Sequence, residues 1–558
     1  MADVRELDSV KIIEQCEVSP PPNSLPSTIL PLTFFDIPWF FCNSVQRIFF
    51  YEFPHPTQNF LQTTLPILKH SLSLSLQHFF PFASNLIVPP QLHLSHIRYL
   101  QGDSLSFTVA ESTADFTLLT SHSPQDVRNW HPLIPTLPSP RLEQDDIRVM
   151  PLMAIQVTLF PNSGFSICLT FNHIAGDGKS LHHFIKFWAS LCKARGDFTS
   201  VETSFSLPSH QRDKVKDPKG LKFIYFRELG HFLSKRMEFA GPVRDVITNR
   251  VRFTVLLSLE QVRKLKKWVS LKSASNYSGL LHISTFVVAC SLIWVCKNRS
   301  EEKKASFSEE CDELCHLVFL ADCRERSEFS LSSTYFGNCL TSYNVAIKRS
   351  ELVGEDGIVA AANAIGKEIT NLKSDPLRKA ETFISDYKEV TKPGKSVLVI
   401  AGSPKLGVYK TDFGWGKPKK CAAAHIESSR SVSLSDCRDE NAGIENSLNI
   451  EEISRFTGKP WKLYTENFSS HNFIGLAFPV SGRFSTYQIL PSYWGSWRRR
   501  NHCGRESLWL QPFYLQRDQS IALLYAFITY IQSSLPNLII FSSFHNQILH
   551  TQKLNIIS

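Results

Sequence analysis

The chain has 558 residues, 43% hydrophobic and 20% charged, the make-up of an ordinary globular protein with room for two or three compact units. Its net charge is +9, and +5 of that sits in the last 98 residues; a body carrying +4 lacks the clustered basic face that nucleic acid requires and only mildly attracts an anionic co-substrate. The opening Met-Ala-Asp-Val-Arg-Glu-Leu-Asp has no apolar signal run, and the 13 cysteines are scattered, several inside apolar stretches (Cys168, Cys290, Cys296), so a reducing cytoplasmic setting without a disulfide framework is expected.

Pro-rich residues 19–32 read as an extended entry segment. Residues 61–80 mix Leu and Phe with Ser, Gln and His at helical spacing until Pro81. Residues 165–173 alternate: Phe165, Ile167, Leu169 and Phe171 share one face, and Ser166, Cys168, Thr170 and Asn172 share the other. That pattern predicts a strand, which Gly176 and Gly178 then break. From Ser180 to Lys193, Leu181, Phe184, Ile185, Trp188 and Cys192 recur at three and four residues, which predicts an amphipathic helix.

Polar residues 194–219 read as a linker between an N-terminal domain, 1–193, and a C-terminal domain, 220–455. Within the latter a charged amphipathic helix is expected over 257–272, a buried helix over 282–296, and buried strands over 317–321 and 397–401. Strands and helices mix in both halves, which places the chain in the α/β class. Cys311 and Cys315 form a lone C-x3-C without a second pair, so no metal site is expected. Residues 450–456 have a partial helical pattern, and periodicity fades beyond 455. Residues 521–541 carry no charge and are about long enough to cross a bilayer. Gln532, Asn537, a Ser pair and Pro536 argue against a span. Residues 456–558 therefore read as an atypical extension, disordered or the product of a misread gene end.

Two segments carry chemistry. His173 ends the predicted strand ahead of a Gly-rich loop, and imidazole is the side chain suited to proton transfer near neutral pH. Asp177, four residues on, either orients His173 or caps the following helix and pairs with a buried Arg. The second segment, Asp412-Phe413-Gly414-Trp415-Gly416, reads either as a site loop with an aromatic lid or as a turn anchored by Trp415.

Together the two segments resemble the HxxxD and DFGWG motifs of the plant BAHD acyltransferases. Leu32-Thr33-Phe34-Phe35-Asp36, His78-Phe79-Phe80-Pro81, Asp322-Cys323-Arg324 and Tyr335-Phe336-Gly337-Asn338-Cys339 look like the same family, over about residues 8–450. Within it, Asn172 to Ser180, Tyr335 to Cys339 and Ala401-Gly402-Ser403-Pro404-Lys405 are most similar to anthocyanin and phenolic-glucoside malonyltransferases.

The resemblance implies two similar mixed-sheet α/β domains of the chloramphenicol acetyltransferase-like type, with a tunnel between them. It implies an O-acyltransferase that uses acyl-CoA, malonyl-CoA first, as co-substrate and a phenolic glycoside as acceptor. It implies no resident cofactor or metal, no nucleic-acid partner, no stable membrane association, and a monomer. His173 would be the general base, with the indole N–H of Trp415 as an oxyanion donor. Asp412 would be structural or catalytic, and Asp177 would pair with Arg324 behind the loop. Lys179 is the candidate partner for the malonyl carboxylate, against a solvated helix-start lysine. Ser180, Ser284 and Thr285 would line the CoA path. Two alternatives stay open: the same chemistry with acetyl-CoA or hydroxycinnamoyl-CoA, and an inactive relative that only binds ligand.

Overall fold

A computed structural model describes residues 10–42, 44–233, 250–276, 283–301, 313–326, 329, 331–424, 431–438, 448–455, 462–466 and 473–477. Cys311, the apolar stretch 521–541 and most of the extension beyond 455 lie outside the described residues.

Two mixed sheets carry the fold. The first runs, edge to edge, Val10–Val18, Leu105–Ser112, Met153–Phe160, Gly164–Phe171, Val45–Glu52 and Lys420–Ala423. Only the Leu105–Ser112 and Met153–Phe160 pair is parallel. The second runs Leu340–Lys348, Leu314–Asp322, Ser396–Ala401, Ser431–Ser435, Leu448–Arg455, Arg250–Leu257 and Gln125–Asp126. Its Ser396–Ala401 strand is parallel to both neighbours. A five-stranded antiparallel sheet and a hairpin of Lys462–Glu466 with Phe473–Ala477 complete the strands.

Each main sheet borrows an edge strand from the other half of the sequence. Lys420–Ala423 closes the first sheet and Gln125–Asp126 closes the second. Buried Arg252 lies over the Trp130 ring at 4.5 Å and donates to the carbonyls of Ala423 and Ala424 at 3.1 and 3.2 Å. Lys420, also buried, lies over the same indole at 5.1 Å. A cation over an aromatic face is stabilised by the ring quadrupole, more so when desolvated.

The strand expected over 165–173 is Gly164–Phe171, and all eight residues are buried on both faces. Phe165, Ile167, Leu169 and Phe171 join the main core, and Cys168 joins a smaller cluster with Ile48, Trp130 and Phe160. The expected helix is Gly178–Lys193, and Leu181, Phe184, Ile185, Trp188 and Cys192 are all buried. At about 1.5–3 kcal/mol for each large apolar side chain, this face fixes the helix against the sheet.

The run at 61–80 forms a π-helical turn, Phe60–Thr64, then the helix Leu65–His78 and a short turn containing Pro81. The later expectations appear as helices Leu259–Asn276 and Thr285–Glu301 and strands Leu314–Asp322 and Ser396–Ala401. Residues 194–219 contain the short helix Phe198–Glu202 and the buried Arg212. The partial helical pattern at 450–456 is overturned. Leu448–Arg455 is a strand, paired with Arg250–Leu257 on one side and Ser431–Ser435 on the other. A ladder on both edges outweighs a weak local pattern. Among the described residues no helix is long and apolar enough to cross a membrane, and no group of His, Cys, Asp and Glu is arranged to hold a metal.

Candidate active site

The backbone leaves the Gly164–Phe171 strand at Asn172, whose side chain accepts the Ile174 N–H at 3.0 Å and starts a short turn, His173–Ala175. That turn sets the His173 ring off the strand end, partly exposed. The Trp39 indole stacks on the ring, with centroids 3.7 Å apart and planes 14° apart. His173 Nδ1 lies 3.0 Å from Asn338 Oδ1. Burial holds the imidazole below its ordinary pKa, against the opposing pull of the Asp177 charge and the Asn338 contact.

The orientation of Asn338 follows from its other contacts. Its Nδ2 donates to Asp36 Oδ1 at 3.0 Å, to the His173 carbonyl at 2.9 Å and to the Ile174 carbonyl at 3.3 Å. A flipped amide would set its oxygen against three acceptors, one of them an anion. Asn338 Oδ1 therefore faces His173, so Nδ1 carries the proton and Nε2 carries the lone pair. Asp36 is held in turn by the Thr33 N–H at 2.7 Å, the Thr33 hydroxyl at 2.8 Å and Arg212 Nη1 at 2.6 Å. The Asp36 side chain is 0% exposed and that of Arg212 1%.

Asp177 does not turn toward His173. Its Oδ1 accepts the Ser180 N–H at 3.0 Å, capping the helix, and Arg324 Nη2 at 2.9 Å. Its Oδ2 takes the Cys339 N–H at 3.1 Å and Arg324 Nη1 at 2.8 Å. Arg324, 0% exposed, also donates to Asp322 at 2.8 Å and to the carbonyls of Tyr335 and Gly337 at 3.1 and 2.9 Å. The Ser180 hydroxyl bridges the Gly337 N–H and carbonyl at 3.1 and 3.0 Å. Ser180 is buried, with its N–H and hydroxyl both engaged in this knot. Gly176 is needed here for close approach, since a Cβ would come within 2.9 Å of Ser180 Cβ. Gly337 adopts φ +146°, a backbone that L side chains rarely take.

Other residues singled out from the sequence fall elsewhere. Lys179 donates to Asp322 Oδ2 at 3.0 Å, so its charge is matched within the protein. Ser284 caps the start of Thr285–Glu301 by accepting the Val287 N–H at 3.2 Å, with Thr285 beside it. Asp412 closes its own loop: Oδ1 accepts the Gly414 and Gly416 N–H groups at 2.8 and 2.9 Å, and Oδ2 accepts Lys193 Nζ at 2.7 Å. Trp415 packs edge-on against Phe165 at 5.3 Å. Phe165 and Phe171 stand at opposite ends of one strand, roughly 20 Å apart at the usual rise per residue. Trp415 is thus at the end of the strand away from His173, packed against Phe165.

The arrangement offers one unprotonated imidazole nitrogen with a fixed tautomer at a partly exposed strand end. Residues 9–460 match the model described as the transferase family. The chain is a BAHD acyltransferase. It is 39% identical over 460 residues to a coumaroyl-CoA:anthocyanidin 3-O-glucoside-6''-O-coumaroyltransferase of Arabidopsis thaliana, covering 80% of this chain and 96% of the relative. It is 36% identical to a malonyl-coenzyme A:anthocyanin 3-O-glucoside-6''-O-malonyltransferase of Dahlia pinnata, over 79% of this chain and 94% of that one. The fold agrees with the crystal structure of vinorine synthase, at TM-score 0.57 and 18% identity over 80% of this chain and 95% of that one. The F. graminearum TRI101 structure with ethyl coenzyme A gives TM-score 0.54 and 13% identity over 77% of this chain and 95% of that one. The BAHD chain thus has two mixed-sheet α/β domains, and its matched region ends at residue 460.

Proposed function

We propose that this acyltransferase moves a malonyl group from malonyl-CoA to a sugar hydroxyl of a flavonoid or phenolic glucoside, with His173 as general base. The supporting observation is the Asn338 contact, which leaves His173 Nε2 as the lone-pair nitrogen. A hydroxyl within hydrogen-bond reach of Nε2 gives up its proton as its oxygen attacks the thioester carbon. The tetrahedral intermediate collapses by breaking the C–S bond, and the imidazolium returns its proton to the departing CoA thiolate. No acyl-enzyme forms. Asp177 and Arg324 hold the loop rather than the ring. The reading includes a cytoplasmic monomer without membrane association.

A second reading keeps the chemistry and changes the donor to a hydroxycinnamoyl-CoA. It is favoured by the Lys179–Asp322 pair, which leaves Lys179 with a matched charge where a malonyl carboxylate needs an open one. One competition experiment separates the readings. The purified chain receives malonyl-CoA and p-coumaroyl-CoA together with an anthocyanidin 3-O-glucoside, and products are read by mass. The expected product is the malonyl ester, lost in His173→Ala and selectively reduced in Lys179→Ala. A coumaroyl ester establishes the second reading. Absence of turnover with these two donors and with acetyl-CoA supplied in their place supports a relative that only binds ligand.

A further inference from the structure

We propose that Arg212, Asp36 and Asn338 form a positioning chain that holds His173 in a single tautomer and orientation, taking the place of the acid in a His–Asp pair. The proposal rests on the reading of His173 as the base.

Four separate parts of the sequence meet in this chain: the segment before the first helices, the His173 turn, the crossing segment 194–219 and the Tyr335–Cys339 loop. Each link is directional. Arg212 donates to Asp36 Oδ2 at 2.6 Å, which leaves Asp36 Oδ1 to accept Asn338 Nδ2 at 3.0 Å. The Asn338 N–H is also 3.4 Å from Asp36 Oδ1. With Nδ2 further committed to the His173 and Ile174 carbonyls, Oδ1 has one remaining direction, toward His173 Nδ1. Reversing any link would leave a buried acceptor facing an acceptor or a buried donor without a partner. The ring is therefore fixed at its edge by Asn338 and over its face by Trp39.

The link that touches the imidazole is a neutral amide, and this has a chemical consequence. A carboxylate at that point would stabilise imidazolium strongly and make the ring a weaker proton donor to the leaving thiolate. The amide fixes the tautomer with little bias in charge. The carboxylate that anchors the amide is one residue further back, neutralised by Arg212. Asp177, whose charge raises the pKa of the ring without touching it, is ion-paired with Arg324.

The test uses the full chain and three readouts: kcat, KM for each substrate, and the pH profile of kcat/KM. It adds one readout that needs no turnover, the 15N shifts of the His173 ring, assigned by their loss in His173→Ala. Wild type should show the Nδ1-protonated tautomer. Asn338→Ala should lower kcat about 10²-fold, the scale of a misplaced reacting group, with little change in either KM. Its ring shifts should report a mixture of tautomers. Asn338→Asp sets a carboxylate against the imidazole and should move the acid limb of the profile upward. Asp36→Asn should produce the Asn338→Ala tautomer mixture with Asn338 itself unaltered. A purely structural role predicts folded variants with lower activity, wild-type ring shifts and unmoved acid limbs, and that result overturns the proposal. If wild type turns over no acyl-CoA, the functional reading fails, whereas the ring shifts still decide the positioning chain.

Discussion

At the scale of single residues, Asp177 and Arg324 form a buried ion pair in which every neighbour is committed. Such a pair is weak evidence of net stability, since desolvating two charges costs much of what their attraction returns. Removing one partner is another matter. Asp177→Ala would leave the Arg324 guanidinium at 0% exposure with only Asp322, Ser180 and backbone carbonyls around it. The expected loss is about 3–5 kcal/mol, measured as a lower denaturant midpoint at unchanged slope. The fraction that stays folded at low temperature should remain active, with the acid limb of its pH profile moved slightly downward because the Asp177 charge no longer raises the His173 pKa. A variant of normal stability with no activity would instead give Asp177 a role in the chemistry. The sequence allowed this aspartate two readings, and spacing alone could not choose, because its partners come from residues 322–339, far along the chain.

At the scale of elements, the Asp412–Gly416 loop is a packing device. Phe413 is buried edge-on against Trp188 at 4.9 Å and Tyr51 at 5.7 Å, and Asp412 ties the loop to Lys193 at the end of the Gly178–Lys193 helix. Burial pushes the Asp412 carboxyl upward, and the Lys193 contact and two loop N–H groups outweigh that and hold it below its usual range. Asp412→Ala should cost about 0.5–1.5 kcal/mol, the scale of solvent-screened hydrogen bonds and surface ion pairs, while kcat below the transition temperature and the acid limb both stay put. A shifted limb would return Asp412 to the reaction. The Gly178–Lys193 helix was legible because one-sided burial imposes a period of 3.6, and Gly164–Phe171, buried on both faces, because large apolar residues fill its main-core face while Ser166, Cys168 and Thr170 alternate on the other. Lys420–Ala423 and Gln125–Asp126 were not, because four and two residues hold no period and their pairing is decided by the other half of the chain. The Asp36 and Asn338 segments were legible as family-like motifs, but their meeting at His173 bridges 302 and 165 positions of sequence, which no local signal carries.

At the scale of the whole molecule, the interior stores histidines in their neutral form. Burial lowers His182 to about 3, with Arg47 and Lys186 adding to the shift. Burial lowers His210 to about 4, and lowers His78, His122, His173 and His183 as well. The sign follows from proton counts. Above about pH 6.5 these rings are neutral folded or unfolded and contribute no pH dependence. Between about pH 6.5 and the lowered values the unfolded chain binds protons that the fold does not, so stability falls as pH falls. Each fully neutral histidine contributes a slope of up to about 1.4 kcal/mol per pH unit in that window. Several together bring a typical margin of about 5–15 kcal/mol within reach of mild acid. The melting temperature should accordingly be flat from pH 8 to 7 and drop steeply from pH 6 to 4.5. His182 sits 2% exposed on the core side of the Gly178–Lys193 helix, so His182→Gln should soften the drop, removing one titrating ring even if it lowers stability at pH 7.5. Equal slopes for wild type and His182→Gln would mean that carboxylates, not buried imidazoles, govern the acid transition.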